Sequence, residues 1–470
     1  MQPSEKGSSI RTAMVIALLV LGCGCNRVSV ITEQMSVGAS VAAQQLCSLV
    51  FISGLELDRA RKLYVDPLLR GGARLLRVDV DSDRKSVTAS FPAVGKQLSI
   101  YREGYGCTLL HDKAVPLQRP PQERRAAPLM HLDTLYRDLT FDTTRLQAAL
   151  DASFAQEPGK SPINTLAVVV LHEGRLVAER YADGITPSTR LPGWSMSKSV
   201  TAALVGILAD RGTLAVRAPG ALGRWRGTND PRGAISLDHL IRMTSGIDLP
   251  QSGEGGDGLD PTYRMLYREF DAAGFAAARP LAREVGVSFE YTDGHSVLAM
   301  RAVQDAVGGG LEASYDFIHD ALFDPLGMQT AILEPDQSGT FLASSRMYAS
   351  AQQWARFGQL FVDQGMVGAR RVLSEDWIAY MTEPTKESSP SVRSGDFWER
   401  DRSSYGAGFW RFSDEAGLPR DAIDASGFQG QYLHIIPSEK LVVVRLGATN
   451  SRDYDHQRLP RDLLAARRTP

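Results

Sequence analysis

The sequence predicts an α/β (α+β) fold: a central antiparallel sheet flanked by helices, preceded by a small α/β unit. Three observations carry this. Leu166-Ala-Val-Val-Val-Leu-His172 and Arg175-Leu-Val-Ala-Glu-Arg-Tyr181 are β-rich runs on either side of Glu173-Gly174, a hairpin signal. Gln431-Tyr-Leu-His-Ile-Ile436 and Leu441-Val-Val-Val-Arg-Leu446 make a second hairpin around Pro437-Ser-Glu-Lys440. The chain between them is mostly helical in pattern, with Gly-rich loops such as 251–258. Strands at both ends of one stretch, with helices between, imply a sheet closed by its first and last segments.

Composition bounds the rest. The 470 residues suffice for up to about three folding units of roughly 150 residues each. With 43% hydrophobic and 23% charged residues the chain can bury a large core, which excludes a disordered, collagen-like or coiled-coil protein. Lys and Arg number 52 against 54 Asp and Glu, a net charge of -2. No basic excess is present to hold a phosphate backbone, so no nucleic-acid partner is expected. The sequence has no Walker-type loop, no HExxH and no cysteine pair at zinc spacing.

Lys6 and Arg11 precede an apolar run from Ala13 to Leu21 that ends at Gly22-Cys23. A run of this length is too short to cross a hydrocarbon core of about 30 Å as a helix, and basic residues before it read as a secretory signal over 1–22. Val20-Leu21-Gly22-Cys23 resembles the lipobox of bacterial lipoproteins, which implies a diacylated Cys23 and a lipid anchor in the cell envelope without a transmembrane helix. An ordinary signal peptide cut nearby is the alternative; on either reading the mature chain is exported.

Residues 26–116 read as the small α/β unit. The segments 42–52 and 55–64 are helical or mixed, while 75–80 and 86–91 alternate like paired strands around 81–85, and 98–101 is a third strand. Cys23 and Cys25 belong to the address, which leaves Cys47 and Cys107 as a disulfide pair in an oxidising compartment, or else as two buried thiols. A Pro- and Arg-rich stretch makes 117–139 a linker, and 140–465 is the larger unit.

The stretch richest in chemistry is Pro192-Gly-Trp-Ser-Met-Ser-Lys-Ser-Val200. Val200, Ala203, Leu204, Ile207 and Leu208 recur at helical spacing, so Ser195 to Lys198 form the first turn of a buried helix. Residues three apart share a face, which brings Lys198 to the Ser195 hydroxyl. A serine needs a partner to take its proton, and a lysine desolvated against an apolar helix can lose its charge and do so. Spacing alone is weak: Ser82 and Lys85 match it too, in a solvated turn.

In this setting Ser195-Met-Ser-Lys198 resembles the penicillin-recognising serine hydrolases, a family that takes in class C β-lactamases, D-alanyl carboxypeptidases, related esterases and 6-aminohexanoate-dimer hydrolases. Other stretches agree in order: Asp238-His-Leu-Ile-Arg-Met-Thr-Ser-Gly-Ile247, Phe289-Glu-Tyr-Thr-Asp293, Pro325-Leu-Gly-Met328 and Trp354-Ala-Arg-Phe-Gly358. Gly427-Phe-Gln-Gly-Gln431 stands where other members carry K-T-G or H-T-G, and its form is closest to the 6-aminohexanoate-dimer hydrolase branch. The resemblance covers about 140–450. It implies the β-lactamase/penicillin-binding-protein-like fold with a helical subdomain, and an acyl-enzyme on Ser195 formed from a small amide or ester.

By the same resemblance Lys198 and Tyr291 share the proton work, with Tyr291 as general base to Ser195 and acid to the leaving group. The backbone N–H groups of Ser195 and Phe428 form the oxyanion hole, and Gly427 and Gly430 let the strand pass close to substrate. No cofactor or metal is implied. Two motifs depart from the family: Asp293 stands where asparagine is usual, and the basic residue of K-T-G is missing, which argues against a true β-lactamase. The 26–116 unit also lies outside the usual catalytic fold. Asp293 reads equally as a site residue pairing with Lys198 or as a turn residue before Gly294. His295 reads as a solvated or helix-start residue, His172 and His239 as structural, and Trp194 as pocket wall or helix-entry packing. A catalytically silent binding protein, or a sensor acylated once, is the alternative to a hydrolase.

Overall fold

The computed structural model describes residues 25–468 apart from 93, 113, 119, 122–137, 157–160, 228, 252–258, 389–401 and 451–453, and without the side chains of 25–28 and 70. The 1–22 signal, Cys23, most of the 117–139 linker and most of the 251–258 loop lie outside the described residues.

The N-terminal unit pairs one long helix, α1 (Cys25–Phe51), with an antiparallel meander of β1 (Arg77–Asp81), β2 (Ser86–Ser90), β3 (Gln97–Arg102) and β4 (Gly106–Leu109). Helix α1 starts well before the expected 42–52, and β4 adds a fourth strand around Cys107. Cys47 and Cys107 form a disulfide with their Cα atoms 6.0 Å apart, joining α1 to the last strand. From Ala39 to Leu49 every residue of α1 is buried, because one face meets the meander and the other meets the larger unit.

A helix buried all round has to satisfy its polar side chains within the protein. Gln44 and Ser48 of α1 donate to the carboxylate of Glu334 at 2.5 and 2.6 Å, and the Cys107 backbone N–H donates to it at 2.7 Å. Burial pushes the Glu334 carboxyl up to about 7, against those bonds. Gln337, also fully buried, accepts from the backbone N–H groups of His111 and Asp112 and donates to the carbonyls of Asp112 and Val115. The two units therefore share one continuous hydrophobic core.

The larger unit is built on seven antiparallel strands in the order β7-β8-β9-β10-β11-β5-β6, with β5 (Thr165–His172), β6 (Arg175–Tyr181), β7 (Arg402–Tyr405), β8 (Trp410–Phe412), β9 (Ile423–Gly427), β10 (Gln431–Ile436) and β11 (Leu441–Gly447). The last strand pairs with the first, Leu441 opposite His172, as the two hairpins imply. The β5–β6 turn takes positive φ at Glu173 (51°) and Gly174 (74°), the twist a two-residue hairpin loop needs. One face of the sheet packs on α5 (Ala351–Val362) and shares a hydrophobic core with α3 (Ser197–Asp210), α4 (Asp293–Ala306) and the N-terminal unit. The other carries α2 (Thr143–Phe154) and α6 (Arg458–Ala465). Buried Arg445 on β11 donates to Thr165, Ile163, Gly430 and Thr449, fastening the start of the sheet to its end. Among the described residues, no helix is long and apolar enough to cross a membrane.

Candidate active site

Helix α3 is buried on every side from Ser197 to Leu208, so it acts as the axis of the larger unit. Its entry is a tight 3-10 turn over Trp194–Met196, with Trp194 at φ 49°. That left-handed residue costs about 1–3 kcal/mol and turns Ser195 toward the surface: Ser195 is partly exposed while Trp194 and Met196 are buried. The Ser197 hydroxyl fixes the turn by donating to the Trp194 carbonyl at 2.6 Å.

One turn on, the buried Lys198 ammonium donates to Ser195 Oγ at 2.8 Å, to the Ser344 carbonyl at 3.0 Å and to Asp293 Oδ1. Three acceptors for three N–H donors is the complement of a charged amine. Burial alone would push the Lys198 pKa down, but the Asp293 carboxylate, followed by Tyr291, outweighs it and holds Lys198 above its ordinary value of 10.5. Of the two readings of Asp293 the structure takes the pairing with Lys198, and that carboxylate offsets the desolvation that could otherwise strip the lysine of its charge. Asp293 is held in turn by Gln251, which accepts from the Asp293 backbone N–H at 2.7 Å and donates to Oδ2 at 3.4 Å.

Tyr291 lies beside this pair, with the Lys198 ammonium 4.9 Å from its ring centroid. Its ring packs on Trp410 at 5.1 Å and on Tyr405 at 5.6 Å, against Phe289. Ser195, Gln251, Tyr291 and Phe428 are partly exposed, so they mark the accessible mouth of the site.

Strand β9 runs beside the nucleophile turn. A Cβ on Gly427 would lie 2.2 Å from the Gly193 carbonyl oxygen and 3.0 Å from Trp194 Cβ, so only glycine permits this approach. Phe428 then stacks edge-on against Trp194 at 5.3 Å, which places Trp194 in the packing between the two segments. Gly430 faces the other way. A Cβ there would meet Arg445 Nη1 at 2.4 Å, and its carbonyl accepts from that guanidinium, so it serves the sheet and not the cleft. Gln429 (φ 57°) donates to the Tyr64 carbonyl at 3.1 Å, tying the N-terminal unit to this loop.

His295 is buried and bonded to Ser245 of the Thr244-Ser245-Gly246 turn at 2.6 Å, and burial lowers it to about 3, so it is a neutral internal brace and not solvated. His172 pairs with Asp138 at 2.5 Å, and His239 caps its own helix through Ser236. Residues the sequence did not single out for the site are Ser344, Gln251, Trp410 and Tyr405. Gln251 had a signal, as the first residue of the Gly-rich loop. The others arrive only through the folded path of the chain.

A family model described as Beta-lactamase matches residues 150–467. The chain belongs to the beta-lactamase family. Within it, the chain is similar to the 6-aminohexanoate-dimer hydrolase of Paenarthrobacter ureafaciens, at 23% identity over 307 residues that span 62% of this chain and 74% of that protein. Its fold is shared by a family VIII carboxylesterase (17% identity, TM-score 0.55, 70% of this chain and 98% of the other). It is shared as well by the octameric penicillin-binding protein homologue from Pyrococcus abyssi (19% identity, TM-score 0.53, 69% and 78%). The N-terminal unit precedes the part that matches the beta-lactamase family.

Proposed function

We propose that this protein is a serine hydrolase that cleaves an amide or ester bond through an acyl-enzyme on Ser195. The observation that carries the reading is the Ser195–Lys198 hydrogen bond of 2.8 Å at the exposed start of a buried helix. Ser195 Oγ attacks the carbonyl carbon as its proton passes to Tyr291, the general base beside the Lys198 ammonium. Lys198 stays an ammonium throughout, orienting Oγ. The Ser195 and Phe428 N–H groups receive the oxyanion, Tyr291 returns the proton to the departing amine or alcohol, and water releases the acyl group.

The absence of the K-T-G cation, with Gly427-Phe428-Gln429 in its place, favours substrates that carry no carboxylate beside the scissile bond. The similarity to a 6-aminohexanoate-dimer hydrolase and to a carboxylesterase fold supports short amides and esters as the first class to screen. We place the mature protein in the bacterial cell envelope, anchored through lipid on Cys23 and facing the periplasm or exterior. Replacing Cys23 with Ser would then move it from the detergent phase to the aqueous phase on partitioning.

The test is intact mass after incubation with a fluorophosphonate. One adduct on the wild type and none on Ser195→Ala is the expected result. An unlabelled wild type would point instead to a binding protein, a reading that the Asp293 lock on Lys198 supports.

A further inference from the structure

On the sheet face that also carries Trp410, the register partner of Asp424, three side chains converge. Asp424 on β9 and His434 on β10 are register partners, and their strand neighbours Ile423, Ala425, Leu433 and Ile435 turn into the main core on the other side. His456 approaches from the segment that leads into α6. One ligand-type atom from each of the three lies within 4.8 Å of the other two. The Asp424 Oδ1 to His434 Nδ1 distance is 3.3 Å. Bonds of about 2.0–2.1 Å in a tetrahedral zinc site require ligand separations of about 3.3 Å.

Hydrogen bonding leaves this arrangement unexplained. Asp424 Oδ1, His434 Nδ1 and His456 Nδ1 are all buried, and none has a hydrogen-bond partner among the described residues. Buried polar atoms without partners are rare and costly, and three facing one another share a single remedy. The other Asp424 oxygen accepts from Arg402 at 3.1 Å, and Arg402 also donates to Ser426 Oγ at 2.6 Å, which orients the carboxylate as an outer-shell partner does. Tyr432 stacks on His456 at 4.6 Å and steadies its ring, while partial exposure of His456 leaves a way in.

We propose that Asp424, His434 and His456 form a binding site for a divalent transition metal, zinc by preference. Two imidazole nitrogens and one carboxylate oxygen are the donor set of a borderline cation, and they leave a fourth position to water. The ion clamps the 454–457 segment, and with it α6, onto the strand that ends at Gly427.

The experiment uses the purified full chain, stripped with chelator, reloaded with zinc, dialysed and assayed for metal by mass spectrometry, with cobalt absorption as a second readout. We expect one zinc per chain and a cobalt spectrum of tetrahedral type. A hundredfold excess over Kd should raise the melting temperature by about 3 °C. His456→Gln, at the partly exposed ligand, and Asp424→Asn should each weaken binding at least about 100-fold with an unchanged circular dichroism spectrum. A substoichiometric zinc content in the wild type would overturn the proposal. Zinc bound equally well by His456→Gln would overturn it too, by placing the metal elsewhere.

Discussion

Asp293 is the residue whose replacement discriminates best between a charged and a neutral Lys198. Asp293→Asn restores the amide usual in the family and keeps an oxygen able to accept from Lys198, so what it removes is the charge. The Lys198 side chain is 1% exposed and the Asp293 side chain 6%. Breaking a buried ion pair by removing one partner costs about 3–5 kcal/mol, and the hydrogen bond that survives returns about 1. A loss of about 3 kcal/mol at pH 7 is therefore expected, read by urea unfolding. The pH dependence fixes the cause. In the wild type the Lys198 pKa is raised on folding, so its stabilising contribution is complete below 10.5 and is lost only as pH rises through the folded-state value. In Asp293→Asn burial is opposed by Tyr291 alone and the folded-state pKa falls below the unfolded one, so the destabilisation fades as pH rises toward 10.5. The gap between the two proteins should thus narrow from pH 7 to pH 10. A gap under about 1 kcal/mol at pH 7, or one that stays constant with pH, would refute a charge-paired Lys198.

Gly427→Ala should lower kcat by about 100-fold or more while leaving the fold intact, because the new methyl pushes the Phe428 N–H away from the nucleophile turn; steady-state kinetics and circular dichroism check both halves. Breaking the disulfide with Cys47→Ser and Cys107→Ser together should cost about 4 kcal/mol, given a sequence separation of 60, and denaturant unfolding of the oxidised wild type beside the variant measures it. Glu334 has its folded-state pKa raised from 4.5 to about 7, so its contribution favours the folded protein below 4.5 and is lost as pH rises through about 7. Stability should accordingly fall by about 3 kcal/mol between pH 4.5 and pH 8 relative to Glu334→Gln, which lacks that carboxyl, and unfolding curves at both pH values decide it.

The central sheet was legible because its strands are local signals. Both hairpins carry their own turn chemistry, and 431–436 in particular was read to the residue. The nucleophile helix was legible because a serine and a lysine three apart before an apolar run constrain each other within one turn. What escaped depends on distant parts of the chain. The pairing of Asp293 with Lys198 was one of two readings of that position, and only the fold decides between them, by bringing the carboxylate across 95 positions. Gly427 and Gly430 look alike in sequence, yet one meets the Gly193 carbonyl and the other meets Arg445, a distinction set by the β9–β10 turn. Helix α1 begins well before 42–52, and its Gln44 and Ser48 point to a carboxylate 290 and 286 positions away, which no local pattern reveals.

The placement of the last strand beside the first has a kinetic consequence. Arg445 and Thr165 bond across 280 positions, so during folding the β5–β6 hairpin keeps one edge unpaired until the distant last strand arrives. Closing so long a loop is slow, and an apolar strand with an open edge invites pairing with other chains in the meantime. Helix α1 and its meander lie wholly within the first hundred or so residues and can assemble early, offering an apolar surface that the nascent larger unit folds against. On this order of events the larger unit folds against a surface already made, and α1 ends buried between its meander and that unit.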